Sequence, residues 1–213
     1  MLGVLMLDTH FPRPLGDVGH PASFDMPVCY QVVRGATASR VVHAQADASL
    51  LQPFIQAGQD QVAQGARALT TSCGFLVRFQ HSLQAALPVP VWTSALLKLP
   101  ELANPGVITV NAQALGPADL QAAGGAADTP VEGLEVGCAL QQTLLRDLPH
   151  LDLAQAQEDV VASAQRLIAR CPQVQSLVLE CTNMPPYAEA VARATGRPVH
   201  HLMTLVHERW KRL

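Results

Sequence analysis

The sequence lacks a basic excess, a run of like charges, a CxxC pair and an apolar stretch long enough to cross a bilayer. Formal net charge is -3 at pH 7. Nucleic acid and anionic membrane surfaces are held by basic patches, so neither is an expected partner. A spanning helix needs roughly 20 consecutive apolar residues, and no window approaches that. The opening "MLGVLMLDTHFPRP" has no basic residue ahead of its apolar run, and Asp8 ends the run, so it reads as a first strand and not a signal peptide. HExxH and GxxxxGK[ST] are both missing, which removes the common zinc-hydrolase and phosphate-loop patterns. The five cysteines are Cys29, Cys73, Cys138, Cys171 and Cys181. An odd count without a CxxC pair predicts reduced thiols and a cytoplasmic protein.

What is present is apolar residues arranged with a period. Hydrophobic residues make up 49% and charged residues 15% of 213 positions, enough to bury a core in one large domain or two small ones. Residues 2–7 and 29–33 read as strands, separated by a Pro/Gly-rich loop over 10–27 that is long for a compact domain unless it covers a site. Asp47 is placed to cap a helix carrying Leu50, Leu51, Phe54, Ile55 and Val62 on one face, and Gly65 to end it. Residues 66–72 make a further strand, followed by helical spacing of Phe75, Leu76, Phe79, Leu83 and Leu87. The alternation restarts at "PVPVW", with 106–110 and 133–137 as strands. Asp152 then opens a long amphipathic helix with Leu153, Val160, Val161, Ala164, Leu167 and Ile168 inward, stopped by Pro172. A strand, a helix closed by Gly196, a last strand and a tail helix complete the chain. Strands alternating with helices predict parallel sheets covered on both faces.

The order helix, strand, cysteine, small or polar residue, helix occurs twice, around "TTSCGF" and around "LVLECTNMPPY". The two cysteines, Cys73 and Cys181, lie about half the chain length apart. That predicts two similar α/β halves offering thiols at equivalent places. Ligands of open α/β sheets bind beyond the carboxyl ends of strands, where both thiols fall. A following helix N-terminus lowers a cysteine pKa below about 8.5 and offers N–H groups to a carboxylate. Two such thiols facing one another could remove a proton from one side of a carbon and return it from the other. Buried cysteines are more often small structural hydrophobes, which is the reading for Cys29, Cys138 and Cys171. The polar flanks and the duplicated position separate Cys73 and Cys181 from them.

"ALTTSCGF" and "LVLECTNMPPY" resemble the two cysteine motifs of the aspartate/glutamate racemase superfamily, and "LGVLMLDT" is similar to that family's first strand and substrate loop. The resemblance implies a two-domain fold: similar doubly wound parallel sheets facing each other across a central cleft, related by a pseudo-twofold axis. It places the first domain at 1–91 and the second at 92–201, with a tail helix over 202–213 packing back on the first. It implies a cofactor-independent racemase or epimerase of amino acids or related small carboxylic acids, with Cys73 and Cys181 as acid and base. Asp8, Thr9, Ser72, Gly74, Thr182 and Asn183 would then hold the substrate. Gly74 and Phe75 replace the Asn and Thr of glutamate racemases, and Asn183 replaces their histidine, which points away from glutamate as substrate. The superfamily also leaves open a maleate isomerase- or arylmalonate decarboxylase-like isomerase or lyase, a non-catalytic small-acid binder, and a homodimer.

The remaining polar residues carry weaker expectations. His10, His20 and Asp17 share the long loop, but loop histidines are more often solvated than metal-bound, so no metal is expected. His200 and His201 are adjacent on a strand and point to opposite faces. The segment "PLGDVGH" reads either as a lid or carboxylate-binding loop over the cleft or as a surface turn. Glu135 reads as an exposed or paired strand carboxylate. Glu180, next to Cys181 on a strand, is expected to face away from it.

Overall fold

Six successive buried residues, Leu2–Leu7, form β1, and the computed structural model describes residues 1–213 around it. Its sequence LGVLML has no polar alternation because a central parallel strand is covered on both faces. β1 pairs in parallel with β2 (Val28–Val33) on one side and with β3 (Ala68–Thr71) on the other, and β3 pairs with β4 (Val91–Trp92). The helices of this half are α1 (Ala38–Val41), α2 (Leu51–Ala63) and α3 (Gln80–Ala86).

The second half repeats the plan. β5 (Pro105–Thr109) pairs in parallel with β6 (Val131–Gly133) and β7 (Ser176–Leu179), and β7 pairs with β8 (Val199–His201). Its helices are α4 (Pro117–Ala122), α5 (Ala139–Arg146), α6 (Leu153–Arg170) and α7 (Ala188–Thr195). Strand orders are β2-β1-β3-β4 and β6-β5-β7-β8, so each strand has its counterpart in the other sheet. Cys73 and Cys181 each stand two residues beyond the end of the corresponding third strand, β3 and β7. Buried apolar side chains from both halves join in one continuous core.

The last helix, α8 (Leu202–Trp210), buries Leu202, Met203, Leu205 and Val206. Lys98, on the 3-10 turn after β4, reaches both Glu101 at 2.8 Å and Glu208 at 2.5 Å. The helix also touches the first half, where the Arg67 guanidinium lies 5.7 Å from the Trp210 ring centre and the Asp25 amide donates to His207. His201 begins this helix by accepting from the Thr204 amide. Burial lowers its pKa to about 4, which keeps the ring neutral and able to accept. No group of residues is arranged to hold a metal ion, and no helix is long and apolar enough to cross a membrane.

Several local expectations change. Asp47 caps a 3-10 turn at Ala48–Leu50 that leads into α2, and does not cap α2 directly. The segment after Cys73 is a 3-10 helix, Gly74–Phe79, before α3 begins. Residues 133–137 are mostly not strand. β6 ends at Gly133, and the Cys138 amide closes a turn on the Glu135 carbonyl while Gly137 takes a φ of 83°. Glu135 is therefore exposed on a turn. Leu153, the first residue of α6, is also exposed. Asp152 does cap that helix, accepting from the Ala154 and Gln155 amides.

Candidate active site

The carboxyl ends of β3 and β7 face a shared pocket lined by Ser72, Cys73 and Gly74 from one half and by Glu180, Cys181, Thr182 and Asn183 from the other. Phe11, Phe75, Val110, Leu144 and Leu145 supply apolar walls. The free space within it is small, a cavity of about 30 Å³ that opens to solvent. Cys73 and Cys181 are both nearly buried, at 9% and 7% exposure, and neither forms a disulfide.

Each turn that carries a thiol is fixed by hydrogen bonds from elsewhere. The Leu7 amide donates to Ser72 Oγ at 2.8 Å, tying the end of β1 to the turn after β3. Ser72 Oγ keeps its own proton to give to a ligand. Thr182 Oγ1 donates to the Ser72 carbonyl at 2.6 Å, joining the two cysteine turns directly. Thr182 thus lines the pocket while its hydroxyl proton is committed to the opposite half.

The long loop over 10–27 is ordered by the second half. Phe11 and His10 amides donate to Asp147 Oδ1, at the left-handed end of α5. Further on, Asp17 is fully buried and lies at the centre of a polar cluster. It accepts from Arg13 Nη1 at 2.9 Å, from the Gly19 amide at 2.7 Å and from Asn183 Nδ2 at 2.6 Å. Asn183 Oδ1 in turn accepts from the Cys181 thiol at 3.5 Å. "PLGDVGH" thus has an exposed Leu15 and a buried Asp17 that holds Asn183.

Asp8 and Thr9, expected to bind substrate, do not line this pocket. Asp8 Oδ2 accepts from the Gly35 amide at 2.9 Å, and Thr9 Oγ1 accepts from Arg13 Nη2 at 2.9 Å. Both brace the turns after β1 and β2.

The thiols are not acidified as their place before a helix suggests. Burial, followed by the charge of Glu180, pushes Cys73 up to about 12, and the same causes raise Cys181 well above its ordinary value. Backbone amides of Phe75 and Asn183 pull in the opposite direction, but a single amide does not offset loss of water around a sulfur. The six-residue 3-10 segment after Cys73 also aligns few peptide dipoles.

Glu180, expected to face away from Cys181, is among the residues that line the same pocket. β7 ends at Leu179, and the Glu180 amide still donates to the Ile108 carbonyl of β5 at 2.9 Å. Glu180 is 0% exposed; Thr109 Oγ1 donates to its Oε2 at 2.7 Å, while its Oε1 has no partner. Burial raises its pKa to about 7. Gly74 is required beside it, since a Cβ there would collide with both Glu180 Oε1 and the Glu180 carbonyl. That is a physical reason for glycine after Cys73.

Over 219 residues, 93% of its length, the chain is 30% identical to a dimethylsulfoniopropionate lyase of Durusdinium sp. clade D, and it covers 70% of that protein. The chain belongs to the dimethylsulfoniopropionate lyase family. Dimethylsulfoniopropionate lyase 7 of Emiliania huxleyi is likewise 30% identical over 226 residues, which are 95% of this chain and 64% of that longer protein. No family model matches the chain. Among solved structures, allantoin racemase from Klebsiella pneumoniae superposes with a TM-score of 0.66 at 15% identity, covering 97% of this chain and 86% of that one. Unliganded arylmalonate decarboxylase gives a TM-score of 0.59 at 14% identity, with 93% and 85% coverage. The aspartate/glutamate racemase-like fold is thus shared, across a two-sheet α/β architecture. The expected activity is corrected: relatives spanning nearly the whole chain are named lyases, which overturns an isomerase that racemises amino acids.

Proposed function

We propose that this chain is a lyase acting on dimethylsulfoniopropionate or a close analogue, with Cys73 as base and Cys181 opposite it. The observation that carries the reading is the pair of thiols bordering one apolar pocket, in a member of the dimethylsulfoniopropionate lyase family. The chain spans 64% to 70% of the length of those two relatives, so their activity is carried over as part of the proposal.

Chemically, the substrate presents a carboxylate, an α-CH₂ and a β-carbon bearing a dimethylsulfonium. A thiolate takes the α-proton and becomes a thiol. The C–H electron pair forms the α,β double bond, and the β-carbon–sulfur bond breaks towards sulfur. Dimethyl sulfide leaves as a neutral molecule and acrylate remains, so no acid is needed at the leaving group. Afterwards the thiol returns its proton to water. The α-proton is very weakly acidic, and a buried thiolate whose parent thiol has a high pKa is a correspondingly strong base. A sulfonium entering the pocket favours ionisation of the thiol by charge attraction in a poorly screened site.

Cys73 is assigned the base because its thiol carries no side-chain partner, whereas the Cys181 proton is engaged by Asn183 Oδ1. The Ser72 hydroxyl and the second Nδ2 hydrogen of Asn183 are the donors available to the substrate carboxylate. Developing negative charge at that carboxylate is stabilised by these donors before it forms, which is where such sites gain rate.

The test is release of dimethyl sulfide and acrylate from dimethylsulfoniopropionate by the purified chain. Cys73→Ser is expected to lower turnover by about 10³-fold or more, since a serine hydroxyl is a far poorer proton acceptor at neutral pH. Cys181→Ser is expected to lower it less. Full activity in Cys73→Ser would end the assignment, and no dimethyl sulfide from the unaltered chain would end the reading.

A further inference from the structure

We infer that Glu180 is the anchor for the positive group of the substrate, so that the pocket selects acids that also carry a sulfonium or quaternary ammonium. The inference deepens the lyase reading and rests on it. Glu180 is the only residue of formal charge among the fifteen that line the pocket, and no lysine or arginine is among them. A site built for a simple anionic acid would be expected to place a cation there. This one places a carboxylate, fully buried, with Oε1 free of any partner.

An unpartnered buried carboxylate oxygen is costly, and its retention calls for a reason, of which a catalytic or ligand-binding role is one. Glycine at position 74 supplies the space that this oxygen occupies, so the arrangement depends on two residues and not one. The surrounding apolar side chains, Phe11, Phe75, Val110, Leu144 and Leu145, suit methyl groups on sulfur or nitrogen. Onium methyls carry much of the positive charge and have no N–H or O–H to satisfy, so apolar walls with one carboxylate match them.

Groups facing Glu180 are few. Thr109 donates to Oε2, and Cys73 and Cys181 line the same pocket. Asp119 and Arg78, themselves paired through contacts such as Arg78 Nη2 to Asp119 Oδ2 at 2.9 Å, act on it with opposite signs. None of these supplies an unpaired cation. A bound onium group would do so, and would draw the carboxyl into its ionised form.

The experiment compares two unreactive acids of one shape. β-Alanine betaine carries trimethylammonium; its carbon isostere carries tert-butyl in the same place. Calorimetric binding to the unaltered chain near pH 7 is expected to favour the betaine by about tenfold or more. Glu180→Gln is expected to bring the ratio close to one. Should that variant fail to fold, heats measured in buffers of different ionisation enthalpy still decide the matter. Betaine binding should release protons as Glu180 ionises, and binding of the tert-butyl acid should not. Equal affinity for the two acids in the unaltered chain, an unchanged ratio in Glu180→Gln, betaine binding without proton release, or no binding of the betaine at about 10 mM would each overturn the inference. Dimethyl sulfide release is assayed alongside. Preference for the betaine without dimethyl sulfide would leave an onium-acid site and remove the lyase reading, whereas dimethyl sulfide without the preference would do the reverse.

Discussion

Asp17 and Asn183, far apart in sequence, meet in a 2.6 Å hydrogen bond inside the protein. Because Asn183 donates from Nδ2 to this carboxylate, its carbonyl oxygen is left facing the Cys181 thiol. The bond therefore decides which end of the amide the thiol sees, and it does so from a loop belonging to the other half of the chain.

Replacing that carboxylate tests the arrangement. In Asp17→Asn the Arg13 guanidinium, itself largely buried, loses its ion pair, and the Asn183 amide loses the partner that fixes its orientation. Removing one member of a buried pair costs about 3 to 5 kcal/mol. Urea denaturation should show a loss of that order, and dimethyl sulfide release should fall in the protein that remains folded. Unchanged stability would mean that the cluster contributes little.

Gly74→Ala should be disproportionately harmful for one added methyl group. The new Cβ meets the Glu180 side chain and backbone together, and the backbone cannot swing aside as a flexible side chain would. A cost of about 1 to 3 kcal/mol is expected from overpacking, together with displacement of Glu180 from the pocket. Chemical denaturation measures the first, and the betaine preference measures the second. An alanine variant with unaltered stability and preference would show that the turn has room to shift.

The buried Glu180 also makes stability depend on pH. Its carboxyl holds a proton up to about pH 7 in the folded chain, against an ordinary value of 4.5. The folded state thus binds more protons than the unfolded state between those values. Stability from this group is complete below about pH 4.5 and is lost as pH rises through about 7. Urea melts of the unaltered chain and of Glu180→Gln, at pH values on both sides of that window, should differ in slope. If both fall equally, another group is responsible.

Much of the fold follows from local order in the chain. The continuous apolar run of β1, the Asp152 cap on α6 and the φ of 63° at Gly196 after α7 are short-range effects, and each leaves a mark in a few neighbouring residues. The repeated placement of Cys73 and Cys181 is likewise visible as spacing, because equivalent strands in the two sheets end at equivalent points. Strand ends are less legible. Residues 133–137 alternate like a strand, but β6 ends at Gly133, with a last bond from the Leu134 amide to the Thr109 carbonyl, and a turn takes over.

Glu180 is less legible still: that it borders the pocket with Oε1 unpartnered depends on distant residues packed around it, Gly74 and Thr109 among them. The acidity of the thiols was also beyond local reading. A helix start next to a cysteine is a feature of neighbouring residues, whereas burial and the opposing charge of Glu180 come from the assembled pocket.

By itself, then, the chain's residue order determined two α/β halves and a thiol at the same point in each, since hydrophobic period and capping act over a few residues. Only the tertiary structure decided that Asp17 would orient Asn183, that Asp8 and Thr9 would brace turns and not line the pocket, and that a buried carboxylate with one unpartnered oxygen would border it. Those outcomes depend on contacts between segments far apart in sequence, where burial removes water and lets one charge act on its neighbours.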